Sequence, residues 1–294
     1  MSKNNLLPRE QNNLYKSPSS SKGLAESMKY LKDKSLWVRK ETLKIHKSAQ
    51  GTRIASCLSD IEIFTVLYYG KILDFNPKEP YWEQRDRFIV SKAHGGVSLY
   101  PILSDLGFFD KKQLKRVCKD GYSFGSIPDC SVPGFESING SLGHGLGFGC
   151  GIAIALKKKD LESKVFVLSG DAELFEGSVW EAIMFAGHHR LDNLVLIVDN
   201  NKRGMLGYCR DVINLEPLNK KFEIFNWDTK IVDGHNVKEL YHTLKEFKCK
   251  GNKPKVLIAN TKKGKGVPEL EEDELCHIKS LDGKKIDRII RELK

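Results

Sequence analysis

Residues 165–201 narrow this 294-residue chain to one class of fold. Val165 to Leu168 is a short apolar run that ends in Ser169-Gly170-Asp171, and Leu194 to Val198 is a second that ends in Asp199-Asn200-Asn201. Between them, from Glu176 to Arg190, the apolar residues Val179, Ile183, Met184 and Ala186 recur at helical spacing. Two buried strands joined by a helix make a parallel crossover, so the chain is expected to be α/β with a parallel sheet. The crossover brings Asp171 and Asn201 to one carboxyl edge, where open α/β sheets bind ligands, and Gly170 lets backbone approach a bulky anion there.

A carboxylate and an amide oxygen at one sheet edge suit a hard divalent cation, because Mg²⁺ takes oxygen ligands in octahedral array and leaves room for phosphate oxygens and water. Asp171 would supply charge and Asn201 a neutral oxygen. Such a pair on its own more often means a strand-end Asp capping the next helix and an Asn in a turn.

The whole stretch GDAELFEGSVWEAIMFAGHHRLDNLVLIVDNNKRG resembles the thiamine-diphosphate motif of transketolases, and its EGSVWEA and LDNL blocks are similar to transketolases rather than to thiamine enzymes at large. Ala172 departs from the motif, which has Gly there. The resemblance runs from about residue 30 through three further blocks. Ser91-Lys-Ala-His-Gly-Gly-Val-Ser-Leu-Tyr100 is similar to the family's SKGHxxxxLY, and the string from Pro133 to Gly147, with INGSLGHGLG at its end, is similar to PGVExxTGxLGxG. Lys253 to Val267 resembles the last strand and loop of the domain.

The resemblance implies a doubly wound, mainly parallel sheet with helices on both faces, binding thiamine diphosphate through Mg²⁺, or Ca²⁺ in substitution. It assigns the metal to Asp171, Asn201 and the backbone carbonyl of Arg203, and the cofactor ring to Gly140 and Leu142. Gly170 and Ala172 fall beside the cofactor in the same motif. His94 falls at a cofactor and substrate contact, His277 at a diphosphate contact, and Glu176 and Glu181 near a subunit contact, Glu176 being carried as a catalytic and cofactor residue with His94 and His277. Without the match, a lone His at a strand-to-helix turn reads as a cap or surface residue, the glycines as helix packing, and either glutamate as an ordinary helix residue.

Complete transketolases carry a pyrimidine domain and a C-terminal domain after this one, and the glutamate that promotes ylid formation lies in the former. The resemblance therefore implies the diphosphate-binding subunit of a split transketolase, active only with a C-terminal transketolase subunit in an α₂β₂ assembly. It would transfer a two-carbon ketol unit between sugar phosphates or modified sugars. Two departures bear on the substrate: Thr52 stands for the family's GHPGG histidine, and Ile127 for the histidine of its HPE element. Fewer donors and more apolar surface imply a less hydroxylated or otherwise modified sugar, or else a chain that has lost activity. Two other readings stay open: a non-catalytic scaffold subunit, and an E1-type 2-oxo acid decarboxylase subunit, which should lack EGSVWEA and SKAHGG.

With 40% hydrophobic residues the chain can bury one large domain, expected over residues 23–294 after a polar, disordered tail over 1–22. No run approaches membrane-spanning length and the start has no continuous apolar h-region, which points to the cytoplasm. Seven cysteines at irregular spacing, with no CxxC, read as reduced thiols, and Cys57, Cys150 and Cys209 as packing residues. The net charge of +10 is spread through clusters such as KKKD, NKK and KKGKG, expected to be solvated surface rather than a nucleic-acid stripe. Asp282 to Lys294 reads as a short charged amphipathic helix.

Overall fold

Four of the strands are buried almost end to end, and their apolar runs are too short for helices. In the computed structural model, which describes residues 21–138 and 140–294, these are β1 (Arg87–Val90), β2 (Val165–Gly170), β3 (Leu194–Asn200) and, last in the chain, β5 (Lys255–Asn260). The more polar β4 (Asp228–Asp233) is mostly exposed, and it lies at one edge of the sheet. The order is β1-β2-β3-β5-β4, with every pairing parallel. The first twenty residues of the expected tail lie outside the described residues.

The helices are α1 (Ser21–Ser48), α2 (Ile54–Ser59), α3 (Ile61–Tyr69), α4 (Leu99–Leu106), α5 (Gly145–Lys158), α6 (Gly177–His188), α7 (Cys209–Val212), α8 (Leu218–Ile224), α9 (Val237–Phe247), α10 (Pro268–Glu271) and α11 (Gly283–Glu292). Side chains alternate across each strand, so the sheet feeds two cores. Phe88, Phe166, Leu168 and Ile197 pack toward α1 to α4, α9 and α11, while Ile89, Val167, Leu196 and Val198 pack toward α5, α6 and α8. This is the doubly wound arrangement the sequence implied. α2 and α3 are buried on every side, which is why IASCLS and IEIFTVLYY are apolar almost throughout.

The expected crossover is present: α6 returns the chain from β2 to β3 in a register that sets Gly170 beside Asp199. α11 forms where a charged amphipathic helix was expected, capped by the Asp282 side chain on Lys285 N (2.9 Å) and burying Ile286 and Ile289. All seven cysteines are free, and burial pushes the thiols of Cys57, Cys150 and Cys209 up to about 12.

Candidate cofactor site

Asp171 leaves β2 as the cap of a 3₁₀ turn, Ala172–Phe175, and its Oδ1 accepts the Ala172 N–H at 2.8 Å. The capping role open to it from sequence is therefore real, and it does not exhaust the carboxylate. Oδ2 accepts the Lys202 N–H, which folds the turn after β3 over Asp171 and brings Asn201 alongside. Asp171 and Asn201 are each only 6% exposed. Burial, aided by the nearby Asp199 charge, raises the Asp171 acid to about 6. The methyl of Ala172 is accommodated: it faces Gly204, where even an added Cβ would sit 3.9 Å away.

Under this edge lies a buried ionic cluster. Lys92 Nζ donates to Asp60 Oδ1 (2.8 Å), Ser59 Oγ (2.9 Å), the Ser56 carbonyl (3.1 Å) and Asp199. Asp199 also accepts from Ser59 Oγ (2.8 Å), Thr261 and Asn201 Nδ2 (2.8 Å). Despite burial, the Lys92 ammonium and these donors hold Asp199 well below the usual carboxylate range, while burial pushes Asp60 up. Gly95 is obligatory here, because a Cβ would lie 1.8 Å from Asp60 Oδ2.

His94, in the 3₁₀ turn after β1, and His277 meet edge to face with ring centroids 5.2 Å apart. Ser56 Oγ on α2 lies 3.2 Å from His277 Nδ1, and Cys57 Sγ donates to the His94 carbonyl (3.2 Å). Burial keeps both imidazoles neutral, reinforced at His94 by the Arg53 charge and at His277, which falls to about 3, by Lys263. Thr52, expected in the substrate channel, is turned away and only 2% exposed. His46 Nε2 accepts the Leu281 N–H, so its Nδ1 carries the proton and donates to Thr52 Oγ1 (2.7 Å), which donates on to the Ala49 carbonyl (2.9 Å). The residue of this segment that bears on the imidazoles is its neighbour, Arg53.

The glycine-rich loop closes a further side. Gly140, at φ +115°, is packed by Ile127, so Ile127 does border the loop assigned to the cofactor ring. Gly143, at φ +87°, leaves no space for a Cβ, which would lie 2.6 Å from Ser178 Oγ and 2.7 Å from Glu176 Cβ. The loop is fixed by Glu173, unrecognised in the sequence. That carboxylate, 2% exposed, accepts the Gly143 N–H (3.0 Å), Ser169 Oγ (2.9 Å), the Gly170 N–H (3.2 Å) and Ser91 Oγ. Leu142 is partly exposed, while Glu176 and Glu181 are solvent-facing, and the Glu176 carboxylate makes no hydrogen bond among the described residues.

Lys263 was also missed, because it sits within a basic cluster that reads as solvated surface. It is 4% exposed, and its ammonium donates to the carbonyls of Arg203 (3.1 Å) and Gly204 (3.0 Å). Its place three residues beyond the carboxyl end of β5 was the available signal. Among the described residues, no three His, Cys, Asp or Glu side chains gather for a metal. The expected set contains one such residue, and its donors are the hard oxygens of a carboxylate, an amide and a carbonyl, a chemistry that fits Mg²⁺. Asp199 holds the nitrogen end of the Asn201 amide, and the carbonyl end already points into the turn that carries Arg203, accepting its N–H at 3.1 Å.

A doubly wound sheet with this oxygen-rich carboxyl edge and a neutral histidine pair defines the thiamine-diphosphate-binding α/β class. Residues 38–293 match the family model of the transketolase thiamine diphosphate binding domain. The chain belongs to the transketolase family. It is 35% identical over 269 residues to an apulose-4-phosphate transketolase subunit of Actinobacillus succinogenes, covering 90% of this chain and 96% of that one. It is 36% identical over 231 residues to the 6-deoxy-6-sulfo-D-fructose transketolase subunit of a Clostridium species, covering 78% and 83%. The crystal structure of transketolase from Campylobacter jejuni superposes with a TM-score of 0.83 at 30% identity, over 90% of this chain but 42% of that one. The chain is accordingly the thiamine-diphosphate-binding, N-terminal subunit of a split transketolase. Among the described residues no helix is long and apolar enough to cross a membrane.

Proposed function

We propose that this subunit, joined to a C-terminal transketolase subunit in an α₂β₂ assembly, transfers a two-carbon ketol unit between modified sugars or sugar phosphates in the cytoplasm. The observation that carries the reading is the convergence of Asp171 and Asn201 at the ends of neighbouring strands, beside a half-buried pair of neutral imidazoles. Asp171, Asn201 and the Arg203 carbonyl would hold Mg²⁺ on the cofactor phosphates, with Lys263 as an added cation and Gly170 and Ala172 as close backbone. Bound thiamine diphosphate supplies the electron sink for breaking and making the bond to the ketol unit.

His94 and His277 supply hydrogen bonds and proton transfer at substrate hydroxyls, a task suited to imidazoles kept neutral at pH 7. Gly140 and Leu142 would support the ring. Ile127 presents apolar surface beside Gly140, which favours a substrate lacking a hydroxyl there. The names of the two subunit relatives, for apulose-4-phosphate and for 6-deoxy-6-sulfo-D-fructose, support a modified sugar. Glu176, Glu181 and Leu142, with exposed Phe148, Met184 and Phe185 on α5 and α6, would be covered by the partner.

The decisive experiment is reconstitution. The purified chain should show no ketol transfer, and adding the complementary subunit should restore it on a panel of modified sugars and sugar phosphates. Robust transfer by the chain alone would refute the partner requirement, and an inactive but well-assembled complex would favour the scaffold reading.

A further inference from the structure

Arg203 touches three parts of the site through three of its own groups. Its N–H donates to Asn201 Oδ1 (3.1 Å), and its carbonyl accepts the Lys263 ammonium (3.1 Å). Its guanidinium reaches the segment that ends at His277, where Nη1 donates to the Asp273 carbonyl and Nη2 to the Glu271 carbonyl (3.2 Å). The Glu271 carbonyl is the last of α10 and has no helical partner. The Asp273 carbonyl also accepts the N–H of fully buried Cys276 (3.1 Å), closing the turn directly before His277. The guanidinium is held on its own side as well. Its Cζ lies 4.9 Å from the centre of the Tyr208 ring. Tyr208 faces Arg203 across a hairpin closed by the Gly204 N–H on the Gly207 carbonyl (2.9 Å) and the Cys209 N–H on the Lys202 carbonyl (3.0 Å).

The assigned metal set uses only the backbone carbonyl of Arg203, which leaves its side chain without a role there. That side chain instead lays a planar fork across two carbonyls 68 and 70 residues further along the chain. We propose that the Arg203 side chain is a positioning residue that couples the metal turn to the Asp273–Cys276 turn, so that filling the cofactor site also fixes His277. The inference rests on the Asp171–Asn201 edge being the cofactor site. A plain structural prop would steady both turns alike whether the site is filled or empty. A coupler makes the second turn respond when the first is filled.

The test uses the full-length chain with Mg²⁺, as native protein, Arg203→Met and Arg203→Lys. Methionine keeps the N–H, the carbonyl and an unbranched side chain, and removes the fork. Thiamine diphosphate affinity is measured by calorimetry, and amide hydrogen exchange is followed by NMR with and without the cofactor. The Lys202 N–H, on Asp171 Oδ2, reports the metal turn, and the Cys276 N–H reports the turn before His277. In the native chain bound cofactor should slow both amides about tenfold, the scale of one charge-assisted hydrogen bond. In Arg203→Met the slowing should persist at Lys202 and fall below about twofold at Cys276, with Arg203→Lys between. Cofactor affinity should fall at most about threefold, because the oxygens assigned to the metal remain. Should Arg203→Met not fold, Arg203→Lys carries the same comparison. Equal slowing at Cys276 in native and variant chains, or none there in a native chain that binds cofactor, overturns the proposal. So does a joint loss of cofactor affinity and of the Lys202 response in Arg203→Met, which would make the side chain a prop of the metal turn itself. A native chain that binds no thiamine diphosphate refutes the reading of the site instead, and the cofactor-free chains then decide Arg203. Faster exchange at Cys276 in Arg203→Met, with Lys202 unchanged, supports the tie between the turns, and equal exchange overturns it.

Discussion

Asn201 donates its amide N–H to Asp199 Oδ2 at 2.8 Å, and that bond, with the Arg203 N–H on the carbonyl end, orients the amide whose oxygen is assigned to the metal. Asp199 can do this because Lys92, Ser59 and Thr261 hold its carboxylate in place. Asp199→Asn should therefore weaken Mg²⁺-dependent thiamine diphosphate binding about tenfold, the value of one charged hydrogen bond. It should also destabilise the fold by about 3 kcal/mol, since Lys92 keeps only Asp60 as a charged partner. Calorimetry and urea unfolding check the two effects separately, and native affinity in a folded variant would remove Asp199 from the positioning role.

Asp171→Ala separates site from scaffold. The side chain accepts the N–H groups of Ala172 and Lys202, so its loss should cost the cofactor-free chain about 1 kcal/mol, as for a lost cap. Cofactor retention should be abolished. Unchanged thiamine diphosphate binding would sink the metal assignment.

The buried His46 gives the fold an acid weakness. Burial lowers its folded-state value to about 4, against 6.5 for the free side chain. The unfolded state then binds the extra proton first, so this stability is complete above about pH 6.5 and is lost as pH falls toward 4, amounting to about 3 kcal/mol. Urea unfolding of native and His46→Gln chains at pH 7.5 and 5 should show a steeper decline for the native chain. Parallel declines would refute the role. Thr52→His, suggested by the family pattern, should destabilise rather than tune substrate choice, because it crowds this bond.

Two glycines of the same loop and helix should respond in opposite directions. Gly143→Ala forces a Cβ into Ser178 and Glu176 at φ +87° and should cost about 1–3 kcal/mol and loosen cofactor binding. Gly147 lies exposed on α5 with nothing within 4 Å of an added Cβ, and Gly147→Ala should stabilise by about 0.5–1 kcal/mol. Thermal melts of both variants suffice, and equal shifts would contradict the loop geometry.

The sheet and its crossover were legible because β2, β3 and α6 carry unambiguous periodicity, and the edge placement of Asp171 and Asn201 followed from the handedness of that connection. Side-chain orientation was not legible. Thr52 lies just before α2, and only the turn there decides that it faces His46 rather than solvent. Lys263 lies between exposed Lys262 and half-buried Lys265, so composition alone could not mark it as buried. Glu173 reads like the other glutamates of its helix start until the Gly143 loop folds back upon it.

The segment bearing His277 is stapled to α1 at both ends, by Arg39 to the Lys265 carbonyl (2.7 Å) and by His46 to the Leu281 N–H (3.3 Å). One partner of the imidazole pair is thus set by contacts some 230 residues apart in sequence. During synthesis, α1, β1 to β3 and the Asp171 edge emerge well before this clasp can fasten. The nascent chain consequently passes through a period in which its oxygen donors are in place but its second imidazole is not. Productive occupancy must await translation beyond residue 281, so maturation of the site is a late event in the life of each molecule.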